Sequence, residues 1–241
     1  MTLFKINFAV IIQYSYFVGC MQLSFIETVQ AQNPINYLAA DSLFTNFAKS
    51  TDFTPDSVPL LSKSPAAFKV YSKTLEKKQL LILDTFIRKN LLDSLVIRQL
   101  RAKITYQNLT FMLQHPLVNG FFEVQQNEEA SEQSKAFYRI SYNEYGSFLD
   151  SVDISNESYL VVPEYITFLD TYTDYQEMRF HVFNSENKCT KFDRYWLVRL
   201  LFTGKVRSFM ASKVVRNLQQ ETNSSKELEQ ILKDFTQKYS H

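Results

Sequence analysis

Hydrophobic residues recur at intervals of three and four positions along most of the chain, which is the spacing of an amphipathic α-helix. The first long stripe begins after Ser64 and Pro65, a favourable helix start, and runs to about residue 89: Phe68, Tyr71, Leu75, Ile82 and Phe86. A second runs from about residue 93 to residue 114, where His115 and Pro116 are expected to end it: Ile97, Leu100, Ile104 and Phe111. These stripes predict two long helices in succession.

Two aromatic-rich segments occupy residues 136–178 and are joined by the polar sequence SVDISNES. The first segment places four residues on one helical face: Tyr138, Tyr142, Tyr145 and Leu149. The second is expected to begin near Pro163, after an extended lead-in, and repeats the pattern with Phe168, Tyr172 and Tyr175. Two broad apolar stripes with a short connection predict an antiparallel helix pair within a helical core.

The stretches on either side also predict helices. Residues 32–65 are expected to hold a short helix (Leu38, Leu43, Phe44 and Phe47) and then an extended linker with three prolines: Pro55, Pro59 and Pro65. An apolar helix from Phe192 is expected to break at Gly204, a second covers residues 205–220, and a third follows the caps Ser224 and Ser225. Residues 66–241 therefore predict one helical domain. The fold class is all-α, a bundle of antiparallel helix pairs with about seven helices in the mature chain.

The composition agrees with a helical globule. Hydrophobic residues make up 45% of the chain, enough for an ordered core, while 4 Gly and 6 Pro are too few turn formers for a many-stranded sandwich or barrel. The 26 basic and 25 acidic residues give a net charge of +1. That balance provides neither the basic face of a nucleic-acid-binding protein nor a polybasic membrane patch, so no nucleic-acid partner is expected.

The first 31 residues have the features of an export signal, with Lys5 preceding an apolar segment at residues 6–17. Small residues at the end of the signal favour cleavage after Ala31. A lipobox-like sequence offers a second route, in which Cys20 is lipidated and kept as a membrane anchor. A third interpretation makes residues 6–26 a buried helix of a cytosolic protein. Export is favoured, and it predicts a periplasmic or cell-envelope protein that meets the membrane only if it is anchored at Cys20.

No constellation of catalytic residues is present in the sequence. His115, His181 and His241 are far from one another and from Cys189, so no metal site is expected, and Cys189 is interpreted as an incidental loop cysteine. The chain has no Gly-rich phosphate loop, no G-x-S-x-G elbow and no H-E-x-x-H motif. Its 14 Tyr and 21 Phe fall at helical core spacing, which favours packing over a ligand groove. The sequence predicts no catalytic, cofactor-binding or metal-ligating residue and no enzyme.

Four stretches of the sequence share features with a known family: residues 104–116 (ITYQNLTFMLQHP), 136–172, in which an Asn-containing joint connects two Tyr-rich segments, 200–215 (LLFTGKVRSFMASKVV) and 226–239 (KELEQILKDFTQKY). Together they resemble the helical segment that precedes the thioredoxin domain in exported, TlpA-type thioredoxin-like proteins of Bacteroidetes. The matching positions are Tyr165, Phe168, Leu169, Gly204 and Phe209. In that family a Cys-x-x-Cys redox domain follows the last helix, and this sequence has no such motif, so no catalytic residue carries over. The resemblance implies an envelope protein of thioredoxin-associated lineage that is itself redox-inert.

Two functions of different classes are compatible with this resemblance. The first is a noncatalytic helical binding or scaffolding module that works beside a separate thioredoxin-like protein. The second is a truncated or split thiol-disulfide oxidoreductase that lacks its Cys-x-x-Cys domain. The coding sequence just past His241 discriminates between them, because a Cys-x-x-Cys domain directly downstream supports the second.

Cysteine counting gives a first testable prediction. Thioredoxin-type exchange needs an attacking and a resolving thiol, and cleavage after Ala31 leaves only Cys189 of the 2 cysteines. The purified mature chain is expected to reduce insulin no faster than the uncatalysed reaction. Cys189→Ser should change the free energy of unfolding by less than about 0.5 kcal/mol. Turnover above the uncatalysed rate that Cys189→Ser abolishes would contradict this prediction.

Overall fold

The computed structural model describes residues 34–51, 65–118, 146–183, 190–222 and 225–239. Helix makes up 84% of this part, and no strand occurs in it, which confirms the predicted all-α class. The chain divides into two compact units, one within residues 33–188 and the other within residues 189–241.

The described residues form seven α-helices. The first unit contains α1 (Pro34–Lys49), α2 (Pro65–Lys89), α3 (Ser94–Val118) and α4 (Pro163–Phe183), with two 3-10 turns at Gly146–Leu149 and Glu157–Tyr159. The second contains α5 (Asp193–Leu201), α6 (Gly204–Glu221) and α7 (Lys226–Tyr239). These bounds match the predicted helices to within a few residues wherever the prediction falls on described residues.

The pairing of α2 with α3 is antiparallel, as the short connection between them requires. Phe68, near the start of α2, stacks on His115, near the end of α3, with ring centroids 4.4 Å apart. Toward the opposite ends, Asp84 of α2 pairs with Arg101 of α3 at 2.6 Å. The two helices therefore contact each other along most of their length.

Helices α3 and α4, in contrast, pack parallel to each other. Lys103 of α3 lies 3.7 Å from Glu164 at the start of α4, and Tyr106, one turn later on α3, packs on Phe168, one turn later on α4. Both helices thus run in the same direction. This arrangement is possible because residues 119–162 separate them, so no short turn forces the chain to reverse.

Helix α1 buries a different face from the one its leucines suggested. Tyr37, Ala40 and Phe44 are buried, whereas Leu38 and Leu43, which were placed in the predicted stripe, are each 58% exposed. The buried residues follow the offsets three and four, and Phe44 packs on Phe86 of α2 with ring centroids 5.5 Å apart. The large rings of α1 therefore decide which face it buries, and its leucines do not.

Helix α3 also ends later than the sequence suggested. The chain remains helical through Pro116 to Val118, although His115 and Pro116 were expected to stop it at residue 114. Proline removes one helical hydrogen bond, but in the last turn this loss is small. The His115 side chain is fully buried and stacked on Phe68, so packing of the last turn outweighs the local signal.

The central aromatic stretch is described only in part. Residues 136–145 of its first segment lie outside the described residues, so the predicted helix there stays a prediction. Its last four residues form the 3-10 turn Gly146–Leu149. The second segment forms α4, which begins at Pro163 as predicted, and its tyrosines are buried: Tyr165, Tyr172 and Tyr175.

The two helices α5 and α6 of the second unit are separated by a break just before Gly204. Helix α5 ends at Leu201, Phe202 and Thr203 are extended, and Gly204 has a φ of 54° as the first residue of α6. A positive φ is readily available only to glycine, so the predicted break lies at the position where the backbone needs it. The glycine opens the next helix and does not cap the preceding one.

A matched pair of leucines on α2 tests the described packing. Leu83 is fully buried and Leu81 is 65% exposed, and both lie in the same helix with the same intrinsic propensity. Leu83→Ala is expected to lower the free energy of unfolding by about 2–5 kcal/mol, because it leaves a cavity. Leu81→Ala should cost about 0.5 kcal/mol or less. Urea unfolding followed by circular dichroism measures both, and equal losses would contradict the arrangement.

Candidate functional site

Tyrosine hydroxyls fix the polar joint that precedes α4. Tyr106 on α3 donates a hydrogen bond of 2.6 Å to the carbonyl oxygen of Asp153, and Tyr165 on α4 accepts one of 3.0 Å from the backbone N–H of Asn156. Burial raises the pKa of both phenols, so they stay protonated. The two rings meet edge to face at 4.6 Å, and Tyr159 completes the cluster. Tyr106 and Tyr165 are buried in the core, as expected for aromatic residues at helical core spacing, and Tyr159 is half-buried.

A second group of polar residues joins three helices and is called here the ionic cluster: Tyr37 and Asp41 on α1, Lys103 on α3 and Glu164 on α4. The Lys103 ammonium group donates to the Asp41 carboxylate in a close ion pair and lies 3.7 Å from Glu164 Oε1. It also approaches Thr45 Oγ1 at 3.5 Å. Each of the three charged side chains is about three-quarters or more buried. The cluster therefore holds two carboxylates and one cation away from bulk water.

The ionic cluster contains two polar atoms with no hydrogen-bond partner among the described residues. They are the hydroxyl oxygen of Tyr37, whose side chain is fully buried, and Oε2 of Glu164. Burial raises the pKa of Glu164, the Asp41 charge adds to that rise, and the helix-start backbone and Lys103 oppose it. Burial also raises the pKa of Tyr37, with smaller contributions from Asp41 and Glu164. The phenol therefore lies within electrostatic reach of both carboxylates.

In the second unit, an aromatic and cationic stack lies on the outer side of α5. The ring of Trp196 meets Tyr195 edge to face at 5.0 Å, and the Arg199 guanidinium carbon lies 5.4 Å from the Trp196 centroid. Arg199 Nη1 donates to Asp234 Oδ2 of α7 at 2.6 Å, and the Tyr195 hydroxyl donates to the same oxygen at 2.8 Å. Burial, together with this hydrogen bond, raises the pKa of Tyr195. Trp196 is thus held on two sides.

The exposed part of this stack is apolar. Trp196 is 38% exposed, and Leu200, one turn further along α5, is 73% exposed. We call this pair the α5 surface. Residues 190–241 carry 10 Lys and Arg against 5 Asp and Glu, a net charge of +5, whereas residues 1–189 carry 16 against 20, a net charge of −4. The near-zero charge of the whole chain therefore conceals an uneven distribution, with the excess of basic residues in the segment that contains the α5 surface.

Of the histidines and cysteines weighed for chemistry from the sequence, only His115 has a described side chain. His115, considered with the other histidines as an isolated residue, is fully buried against Phe68. Cys20, Cys189, His181 and His241 lie outside the residues whose side chains are described. The described residues contain no group of three or more His, Cys, Asp or Glu side chains placed to hold a metal ion. None of the described helices combines the length and apolar character that a membrane crossing needs.

Comparison with protein-family models, with curated proteins and with solved structures gives no match for this chain. The resemblance to the segment that precedes the thioredoxin domain therefore stays a prediction.

Sequence reasoning did not find either the ionic cluster or the α5 surface. Asp41 and Lys103 are 62 positions apart, and Arg199 and Asp234 are 35 apart, so no local spacing connects them. One signal was available for Lys103: it shares a face of α3 with Gln99, Tyr106 and Thr110, which are all buried. A charged residue on an otherwise buried helical face predicts a partner on a neighbouring helix.

The contact between α5 and α7 can be tested with Asp234→Ala. This change leaves the Tyr195 hydroxyl and the Arg199 guanidinium without their shared acceptor, and we expect it to lower the free energy of unfolding by about 2–3 kcal/mol. Trp196 is the only tryptophan and touches both residues, so its fluorescence during urea unfolding reports this unit. Glu227→Ala, an exposed carboxylate on the same helix, is the control. Equal effects of the two variants would refute the assigned role of Asp234.

Proposed function

We propose that this chain is a noncatalytic helical binding module of the cell envelope, and that it contacts a protein partner through the α5 surface. The observation that carries the proposal is an exposed tryptophan that packs against the Tyr195 ring and the Arg199 guanidinium. Buried tryptophan is ordinary core packing, but Trp196 presents 38% of its surface to solvent. Tryptophan and arginine are the residue types most enriched among those that dominate binding energy at protein interfaces.

The rigidity of the stack favours binding. A side chain that is mobile before binding loses conformational entropy on complex formation, at about 0.5–1.5 kcal/mol for each immobilised side chain. Trp196 is already restrained by Tyr195 and Arg199, and Arg199 is itself fixed by Asp234. Leu200 adds apolar area one turn away. The α5 surface therefore offers a preorganised anchor.

The charge around this anchor indicates the chemistry of the partner. Residues 190–241 carry a net charge of +5, so a partner with acidic residues around an apolar cleft is favoured. Long-range attraction of this kind mainly accelerates association and weakens as salt is added. A separately encoded thioredoxin-like envelope protein is the partner that the sequence resemblance suggests. The export expected from the first 31 residues would bring both proteins into the same compartment.

The test combines affinity capture with direct binding. The tagged mature chain is used to capture envelope proteins, in parallel with the double variant Trp196→Ala and Leu200→Ser. Val70→Ser serves as the matched control, because Val70 is an aliphatic residue on α2 that is 67% exposed. A specific partner is expected to be retained by the wild type and the control and weakened at least tenfold by the double variant.

The captured partner is then identified, purified and titrated into the wild-type chain. Binding at the α5 surface should shift the emission of Trp196, the only tryptophan, to shorter wavelength and shield it from acrylamide. Emission that does not respond to a bound partner, or full retention of the partner by the double variant, would refute the proposal.

A further inference from the structure

The ionic cluster has one more negative than positive charge when all its groups are ionised. Asp41 and Glu164 are the two carboxylates, and Lys103 is the cation that lies between them. Electrostatic contributions at Glu164 come from Asp41 of α1, from Lys103 of α3 and from the backbone at the start of α4. The three helices therefore enclose a net charge of −1, which is costly in a site removed from water.

We infer that the ionic cluster is a proton-binding latch that fastens α1 to α3 and α4 more tightly as the medium is acidified from neutral to mildly acidic pH. One proton from solvent adds to the Glu164 carboxylate, giving the neutral acid. The Asp41–Lys103 ion pair stays intact, so the charge of the cluster changes from −1 to zero.

The unpartnered atoms support the choice of Glu164 as the acceptor of the proton. Oε2 of Glu164 and the hydroxyl of fully buried Tyr37 have no hydrogen-bond partner among the described residues, and the charges of Asp41 and Glu164 both act on the phenol. An ionised carboxylate offers only acceptors, whereas the protonated acid can also donate a hydrogen bond. Protonation thus gives Glu164 a hydrogen-bond donor in a cluster where its own Oε2 and the Tyr37 hydroxyl have no partner among the described residues.

The direction of the effect follows from the pKa of Glu164. Burial raises it above the value of an unfolded chain, so the folded state binds the proton more tightly than the unfolded state. The stabilisation is fully present below the unfolded pKa and is lost as the pH rises through the folded pKa. This is the reverse of the usual behaviour of an ion-paired carboxylate, which stabilises a fold as the pH rises.

Hydrogen exchange of the intact chain tests the latch, because it measures the opening of α1 separately from the rest of the fold. Protection of α1 amides, corrected for intrinsic exchange rates, is expected to rise between pH 7.5 and pH 5.0, because the closed state binds the proton at Glu164 more tightly than the open state. Amides of α7, in the other unit, provide the internal reference. Unchanged or reduced protection of α1 at pH 5.0 would overturn the proposal.

Three variants separate the latch from a general effect of pH. Glu164→Gln mimics the protonated acid and should give α1 the same high protection at both pH values. Glu227→Gln alters an exposed carboxylate at the equivalent second position of α7 and should keep the wild-type dependence. Lys103→Met removes the cation and should lower α1 protection at least tenfold at pH 7.5, with partial recovery at pH 5.0.

Glu164→Gln is nearly isosteric with the native residue and is expected to fold. It therefore tests whether Glu164 causes the pH dependence even if Lys103→Met fails to fold. Retention of the full pH dependence by Glu164→Gln would overturn the proposal. Loss of that dependence in Glu227→Gln would do the same.

Discussion

Helix α3 contacts α1, α2, α4 and the turn at Glu157–Tyr159, so many of its polar residues are enclosed by other elements. A polar group taken out of water without a hydrogen bond costs several times what the bond itself contributes. Each of these side chains on α3 therefore selects a partner: Gln99 reaches the carbonyl of Ser158, Lys103 reaches Asp41, Thr105 reaches Glu76, Tyr106 reaches the carbonyl of Asp153 and Asn108 reaches Gln79. These bonds fix the register of the surrounding helices more narrowly than apolar contacts alone, because an apolar interface tolerates small displacements and a hydrogen bond does not.

The existence and approximate limits of the helices were predictable from the sequence because their cause is local. The spacing of Phe68, Leu75 and Phe86 on α2 defines a helix and its buried side without reference to any other element. The predicted helix limits are wrong where a contact with a residue distant in the sequence determines the structure. Pro116 should have ended α3, but His115 stacks on Phe68, which is 47 positions earlier in the chain.

The ionic cluster lies beyond local reasoning for the same reason. The pattern on α1 gave equal weight to leucines and aromatic rings, but the helix buries Tyr37 and Phe44, whose partners belong to other helices. Asp41 lies one turn after Tyr37 and is carried toward Lys103 when that face is buried. The location of the cluster therefore depends on which face of α1 packs, and the sequence alone left that choice open.

The charged side chains lie in different environments in the two units. In the first, Lys103 and its two carboxylates lie between three helices, where desolvation opposes ionisation. In the second, Arg199 pairs with Asp234 at the edge of an exposed tryptophan, so the same type of pair orients a surface residue. Because the ionic cluster encloses an excess negative charge, the packing of α1 depends on the uptake of a proton. Asp234 also pairs with Lys238, and the Arg199 guanidinium that it holds lies 5.4 Å from the centroid of the Trp196 ring.

The scarcity of glycine explains why side chains hold so many of the turns. Only 4 Gly occur in 241 residues, and Gly204 is the one in the described part with a positive φ. After α2, Asn90 donates its side-chain amide to the carbonyl of Phe86, and before α3 the Asp93 carboxylate accepts from the N–H of Leu95. The joint before α4 is held in the same way by Asn156 and by the buried tyrosines.

Tyrosine suits this role because its ring fills the helical core while its hydroxyl bonds a backbone group at the edge of that core. The aromatic residues, for which the sequence favoured core packing over a ligand groove, thus also hold the connections of this glycine-poor helical chain in place.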